Sequence, residues 1–281
     1  MEFVFSEKCL DYRAPGHPEN PERVKLMVDF LEKKGAVFVE PKICRERDLK
    51  LIHTPGHIDK VKNNSFSDPD CPNYKNIYFY ARLAAGAAIK AAEKERFSLM
   101  RPPGHHAGPD YVKGFCYFNN IALAVEKTGR PTLIIDFDGH HGNGTQDIFM
   151  GRQDITYMSL HKNIFPGTGL RIQDNCYNHR FQKEPKEKNY LEVMNRFLKK
   201  ITSERNFEQI AVSAGFDGFA RDPLASLGLQ SSSYYKIGRM IGKLGCPVFA
   251  VLEGGYVAEH MGENVYNFVQ GLEGNKESGP L

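Results

Sequence analysis

Asp136-Phe137-Asp138-Gly139-His140-His141-Gly142-Asn143 crowds carboxylates, imidazoles and an amide into one short stretch. It follows directly on Thr132-Leu133-Ile134-Ile135, an apolar run rich in β-branched residues that reads as a buried strand. An extended backbone turns residues two apart to one side, so Asp138 and His140 can face one ion while Asp136 stays behind them. That is metal-site spacing, although the same residues would also serve to cap a strand and open a Gly-rich loop. Asp217, in Ser213-Ala214-Gly215-Phe216-Asp217, completes a candidate set of two carboxylates and one imidazole. Three protein ligands with positions left for water and substrate describe a catalytic centre rather than a closed structural one. Zn2+ suits the set, and so do Fe2+, Co2+ and Mn2+, given its hard donors.

A second pair, His105-His106, sits in Arg101-Pro102-Pro103-Gly104-His105-His106. Asp136 and Asn143 are the candidate partners for their Nδ1–H groups. A carboxylate behind an imidazole raises its pKa, whereas an amide orients it with a much smaller shift. The two histidines should then differ in basicity, the less perturbed one being suited to take a proton from an attacking water. Tyr256 follows Gly254-Gly255 and is expected to swing a phenol toward a developing oxyanion.

These residues need a scaffold that brings them together, and the chain alternates apolar strand patterns with helical ones. Strands are expected at Glu2 to Ser6, Ala36 to Glu40, Phe97 to Met100, the run ending at Asp136, Ile155 to His161, Glu208 to Ala214 and Val248 to Leu252. Asn20-Pro21 and Thr54-Pro55 look like N-caps followed by Pro at the first helical position. Further helices are expected over Glu46 to His53, Ile77 to Glu95, Asn120 to Thr128, Glu187 to Arg205, Ser231 to Leu244 and a last one ending near Leu272. A long irregular loop is expected between His161 and Glu187. Strand–helix alternation implies right-handed crossovers and a largely parallel sheet covered on both faces, an α/β domain over residues 1–273 with a disordered tail from Gly274. Arg101 to His106, Asp136 to His141, Ser159-Leu160-His161, Ser213 to Asp217 and Glu253 to Tyr256 each follow a strand. In a parallel sheet all five strand ends share one edge, the edge where open α/β folds bind ligands.

The totals exclude several classes. With 281 residues, 41% hydrophobic and 25% charged, the chain is long enough for a sizeable core and ordinary for a globular protein. A net charge of +3 is too small to argue for nucleic acid. Six scattered cysteines without a C-x-x-C pair fit free thiols of a reducing compartment. With no secretory pattern and no span-length apolar stretch, a cytoplasmic protein without a membrane partner is expected.

In chain order, Arg-Pro-Pro-Gly-His-His-Ala, Gly-Phe-Cys-Tyr-Phe-Asn, Asp-Phe-Asp-Gly-His-His-Gly-Asn-Gly-Thr, Ser-Leu-His, Phe-Pro-Gly-Thr-Gly, Ser-Ala-Gly-Phe-Asp and Leu-Glu-Gly-Gly-Tyr span nearly the whole sequence. Together they resemble the zinc-dependent histone deacetylase superfamily, which includes acetylpolyamine amidohydrolases and acetoin-utilisation proteins. The resemblance implies the arginase/deacetylase fold, a three-layer α/β/α arrangement with a mainly parallel sheet of about eight strands, one more than the pattern shows. It implies Asp138, His140 and Asp217 as zinc ligands and His106 as general base and acid. It also implies His105 as an electrostatic partner, with Asp136 behind His105 and Asn143 behind His106, and Tyr256 as carbonyl polariser. Gly114, Phe115 and Phe165 would line an acyl-lysine tunnel, Asp70 would grip substrate at the rim, and one K+ would sit among Asp136, Asp138, His140, Ser159 and Leu160. Two departures stand out. The segment 170–180 lacks the glycines and proline usual after Phe-Pro-Gly-Thr-Gly, which implies a shortened pocket wall and puts the second monovalent-ion site in doubt. Phe219 replaces a carboxylate that a two-manganese arginase would need, so one metal is expected.

The expected activity is removal of an acetyl or related acyl group from a peptide or small-molecule amine. Leu224 occupies a tunnel position where polyamine-specific relatives of one branch carry Glu, which points to acyl-lysine or another neutral alkyl-chain amide. An acetylpolyamine deacetylase, or a binding protein that keeps the pocket without turnover, is the alternative.

Overall fold

The computed structural model describes residues 1–274. The expected disordered tail therefore lies outside the described residues, apart from Gly274, which caps the last helix. The strands are β1 (Phe3–Val4), β2 (Phe38–Val39), β3 (Phe97–Ser98), β4 (Thr132–Asp136), β5 (Ile155–Lys162), β6 (Cys176–Phe181), β7 (Gln209–Ala214) and β8 (Val248–Leu252). They form one sheet in the order β2-β1-β3-β8-β7-β4-β5-β6, with every neighbouring pair parallel. The helices are α1 (Pro21–Lys33), α2 (Glu46–Leu49), α3 (Pro55–Lys62), α4 (Ile77–Glu93), α5 (Asn120–Thr128), α6 (Asn143–Phe149), α7 (Glu187–Glu204), α8 (Ser231–Gly242) and α9 (Ala258–Glu273).

Side chains alternate across β4. Leu133 and Ile135 enter a core shared with Val24 and Met27 of α1, Met194 and Leu198 of α7, Ile237 of α8 and Val265 of α9. Ile134 enters the opposite core with Ile121 and Val125 of α5 and Ala88 of α4. A period of two thus sandwiches the sheet between helical layers. The Asx and Thr caps form as the sequence suggests, Asn20 accepting from the Arg23 N–H at 3.3 Å and Thr54 from the His57 N–H at 3.2 Å.

Two expectations need correction. The eighth strand, β6, lies inside the expected irregular loop and takes in Cys176 to Arg180 of the Gly-poor segment, pairing with β5 from Tyr157↔Cys176 to Lys162↔Phe181. The helix from Glu46 stops at Leu49, and His53 beyond it is buried. Its Nδ1–H donates to the Gly108 carbonyl at 2.9 Å and its Nε2 accepts from the Asn119 N–H at 3.0 Å.

Burial, together with the neighbouring His57, pushes His53 from its ordinary 6.5 down to about 3. With the folded value depressed, the unfolded chain takes up the proton first. Stability is therefore lost as pH falls from 6.5 toward 3, by up to about 1.4 kcal/mol per pH unit from this one group. Urea unfolding at several pH values in that window is expected to show a shallower pH slope for His53→Gln than for the wild type. Equal slopes would mean that His53 does not titrate on unfolding.

Candidate active site

The sheet brings the five strand-end motifs to its carboxyl edge, and at its centre β4, β7 and β8 run side by side. Asp138 and Asp217 are fully buried and His140 partly so, and one ligand atom from each lies within 4.8 Å of the others. Each carboxylate is oriented by backbone. Asp138 Oδ2 accepts from the Gly254 N–H at 2.8 Å and Asp217 Oδ1 from the Gly139 N–H at 2.7 Å. The remaining oxygens, Asp138 Oδ1 and Asp217 Oδ2, turn to His140 Nδ1 at 3.2 and 2.7 Å. Gly254 makes this possible, since a Cβ there would meet Asp138 Oδ2 at 2.6 Å and Asp217 Oδ2 at 2.9 Å. Burial and the facing Asp138 push Asp217 up to about 7. Two like-charged buried groups aimed at one point with an imidazole are costly without a cation, so the donor set fits a divalent ion.

His105 and His106 pack against each other with their rings tilted by 45°, centroids 4.1 Å apart. His105 Nδ1 stands 3.1 Å from Asp136 Oδ2, which also accepts from the Tyr157 hydroxyl at 2.9 Å. His106 Nδ1 stands 2.8 Å from Asn143 Oδ1. Burial works against a charge on His105, but Asp138, Asp136 and Glu253 outweigh it and raise the imidazole to about 10. Burial and the neighbouring His105 and His140 push His106 well below its ordinary value. The two differ in basicity as their partners suggest, but His106 shifts far rather than little, because the sequence could not show how deeply it is buried.

The pocket is a cavity of about 300 Å³ above this cluster. Asp70, Gly114, Phe115, Phe165, Leu224 and Tyr256 all line it, with His105, His106 and His140 at its floor. The Phe165 ring stands 5.3 Å from that of His106, and the Phe115 ring 5.9 Å from that of Tyr256. Gly114 has φ +53°, and a Cβ on it would fall 2.5 Å from His106 Cδ2 and 3.0 Å from Phe165 Cε1. Phe115 is itself left-handed at φ +70°, a conformation costing about 1–3 kcal/mol that the surrounding loop must hold. His17, which stacks edge-on at 4.7 Å, is part of that support. Of the residues named for K+, His140 also reaches the pocket, while Asp136 is paired with Ser159 in the β4–β5 register, Leu160 is next along β5, and the Ser159 hydroxyl lies 2.9 Å from His161 Nδ1.

Several organising residues escaped the sequence reading. Glu253, buried at the end of β8, accepts from the Gly104 and His105 N–H groups at 2.7 and 3.1 Å and so fastens the histidine loop. Asp222 accepts from the Tyr256 N–H at 2.7 Å and the Leu224 N–H at 2.9 Å, strapping two pocket walls together. Arg23 donates to the carbonyls of Glu253 and Gly255, and its guanidinium lies 4.8 Å from the centre of the Tyr256 ring. The turn that carries Tyr256 is thus held by main-chain hydrogen bonds, and its ring packs against the Arg23 guanidinium. The one available signal was a charged residue beside Val24 on the buried face of α1.

A parallel α/β/α sandwich carrying a hard-donor cluster and paired histidines at one sheet edge defines the arginase/deacetylase class of fold. The histone deacetylase domain matches residues 17–272. A probable deacetylase of Methanothermobacter thermautotrophicus is 35% identical over 288 residues, covering 93% of this chain and 87% of the relative. Acetylpolyamine amidohydrolase 2 of Pseudomonas aeruginosa is 37% identical over 208 residues, covering 68% of this chain and 60% of the relative. The solved HD domain of HDA15 matches with a TM-score of 0.90 at 30% identity, covering 99% of this chain and 90% of that one. The chain belongs to the histone deacetylase family, whose members hydrolyse amides.

Proposed function

We propose that this protein is a zinc-dependent amidohydrolase that removes an acetyl or related acyl group from an amine carried on an alkyl chain, acyl-lysine above all. The observation that supports it best is the stacking of three layers in one pocket: the Asp138, His140 and Asp217 donors below, His106 and Tyr256 at the floor, and apolar walls above. Asp138, His140 and Asp217 would hold a divalent ion, which would supply Lewis acidity toward the amide carbonyl and the attacking water. His106, neutral and with Nδ1–H committed to Asn143, offers Nε2 to the proton of the attacking water. His105, whose basicity Asp138, Asp136 and Glu253 raise, stabilises the negative charge that develops. Tyr256 donates to the oxyanion, and a protonated histidine returns its proton to the leaving amine. Phe115 and Phe165 exclude water along the acyl-carrying chain, and Asp70 grips the substrate at the rim. One K+ among the oxygen donors of Asp136, Asp138, His140, Ser159 and Leu160 is part of the proposal. So are a single domain over 1–273 and a cytoplasmic location, the latter supported by six cysteines that form no disulfide. No described helix is long and apolar enough to cross a membrane.

Leu224 supports the substrate class. A polyamine would carry a second ammonium into the tunnel, and desolvating it beside Phe115, Phe165 and Leu224 costs several kcal/mol without a carboxylate partner. The stem of an acyl-lysine is all methylene at that depth. The likeness to an acetylpolyamine amidohydrolase, with Asp70 at the rim, keeps the polyamine as the second reading. The test is a panel of acylated lysine peptides and acetylpolyamines with zinc-loaded protein. Acetyl-lysine peptide should show the higher kcat/KM, and Leu224→Glu should shift the preference toward acetylspermidine. An acetylpolyamine that outruns the best lysine peptide would overturn the substrate assignment, and no turnover of any member would leave an acyl-ligand binding protein.

A further inference from the structure

The two buried histidines are supported differently. Asp136 touches His105 directly, whereas among the described residues no carboxylate forms an ion pair with His106, whose Nδ1 meets only the Asn143 amide oxygen. That amide continues outward. Asn143 Nδ2 donates to the Tyr111 hydroxyl at 2.9 Å, and the Tyr111 hydroxyl donates to Asp147 Oδ2. Asn143 and Asp147 are one turn apart on α6, so both present themselves to the same phenol. Tyr111 comes from the same loop as His106, and its position is built in. The Gly108 N–H donates to the Tyr111 carbonyl at 3.1 Å, and a Cβ on Gly108 would fall 2.2 Å from the Tyr111 ring. Every bond in the chain runs in one sense, imidazole N–H to amide oxygen, amide N–H to phenol oxygen, phenol O–H to carboxylate. Reversing the amide would set its NH2 against the Nδ1–H of His106.

We propose that Tyr111 and Asp147 are positioning residues for His106, extending its amide partner into a chain that ends on a carboxylate and favours the proton-loaded imidazole from a distance. The inference rests on the base role proposed above for His106. Hydrogen bonds aligned in series polarise one another, so a charge at the far end strengthens the bond at the near end. Burial and the bond to Asp147 push the Tyr111 phenol well above its ordinary value, so the phenol keeps its proton and donates it in the hydrogen bond to the carboxylate. Asp147 is exposed and its field is screened, which limits the effect to about tenfold in kcat out of the 10²–10⁴ that general acid–base catalysis supplies. Asp136, buried against His105, has no such limit; the sequence thus carries one imidazole on a direct carboxylate and one on a remote one.

The test uses the zinc-loaded protein and two readouts. In proton NMR, the downfield Nδ1–H resonance of His106, assigned by its loss in His106→Gln, is expected to move upfield in both Tyr111→Phe and Asp147→Asn. In steady-state kinetics on whichever acylated amine the wild type hydrolyses, each variant is expected to lose about tenfold in kcat with KM changed by less than about twofold. The double variant should be no slower than Tyr111→Phe alone, and Asp147→Glu should recover most of the loss. Asp147→Asn preserves shape, so a purely structural role would leave both its resonance and its kcat at wild-type values, and that result overturns the proposal, as do additive losses in the double variant. If the wild type hydrolyses none of the acylated amines, the amidohydrolase reading fails by itself and the resonance still decides the chain.

Discussion

Asp217→Ala and His140→Ala are each expected to lose metal and turnover together. The three donor atoms lie within 4.8 Å of one another, and two of them belong to carboxylates whose other oxygens are already committed to the Gly254 and Gly139 N–H groups. Removing one donor leaves two, and two hard ligands hold a divalent ion poorly in competition with water. Metal content of the purified variants should fall from near stoichiometric to background, and hydrolysis should fall with it. Thermal unfolding gives a second measurement. An ion present at 100 times its Kd adds about 2.7 kcal/mol to the wild type by mass action and should add nothing to either variant. The two substitutions stress the fold differently. Asp217→Ala leaves the Gly139 N–H without its acceptor but relieves the repulsion with Asp138 that, with burial, pushes Asp217 up to about 7. His140→Ala removes a side chain that reaches the pocket. A variant that keeps its metal has lost a residue that was not a ligand.

What the sequence showed and what it hid follow from range. Runs such as Thr132 to Ile135 and Val248 to Leu252 are buried on both faces, so their apolar continuity marks them as strands and places the polar residues after them at one edge. β6 is an edge strand beside β5, and Cys-Tyr-Asn-His-Arg-Phe has neither a β-branched run nor strict alternation, so nothing local distinguishes it from loop. The candidate metal donors were legible because two of the three, Asp138 and His140, stand two positions apart in sequence. Glu253 was not, since its work is to bind backbone N–H groups nearly 150 positions away, where the acceptor's identity leaves no trace in the partner's sequence. Arg23 is similar: buried with Glu19 and Arg101, it forms one ionic cluster beneath the Tyr256 turn, and Arg101 and Arg23 hold the Glu19 carboxylate below its ordinary range against the pull of burial. A charge on the apolar side of a helix reads as an exception until its partner from another element is known.

Tyr256→Phe tests the chemistry without disturbing that cluster. The ring lies over the Arg23 guanidinium at 4.8 Å, and the main-chain N–H is bound by Asp222, so a phenylalanine keeps both attachments and the turn should stay in place. Only the hydroxyl is lost. Burial pushes that phenol well above its ordinary value, so it is a donor at neutral pH, and its ring stands 5.9 Å from that of Phe115 across the pocket. If it donates mainly to the oxyanion, the missing bond is one made in the transition state and not in the ground state. kcat is then expected to fall by about 10²–10³, or about 2.7–4 kcal/mol, with KM little changed, as for the loss of a single oxyanion donor elsewhere. A fall in kcat/KM carried by KM would instead place the hydroxyl on the bound substrate. Near-wild-type kcat with an unchanged melting temperature would reduce Tyr256 to the ring that Arg23 packs against, and the proposed carbonyl polarisation would then have to come from the metal-binding cluster and His105 alone.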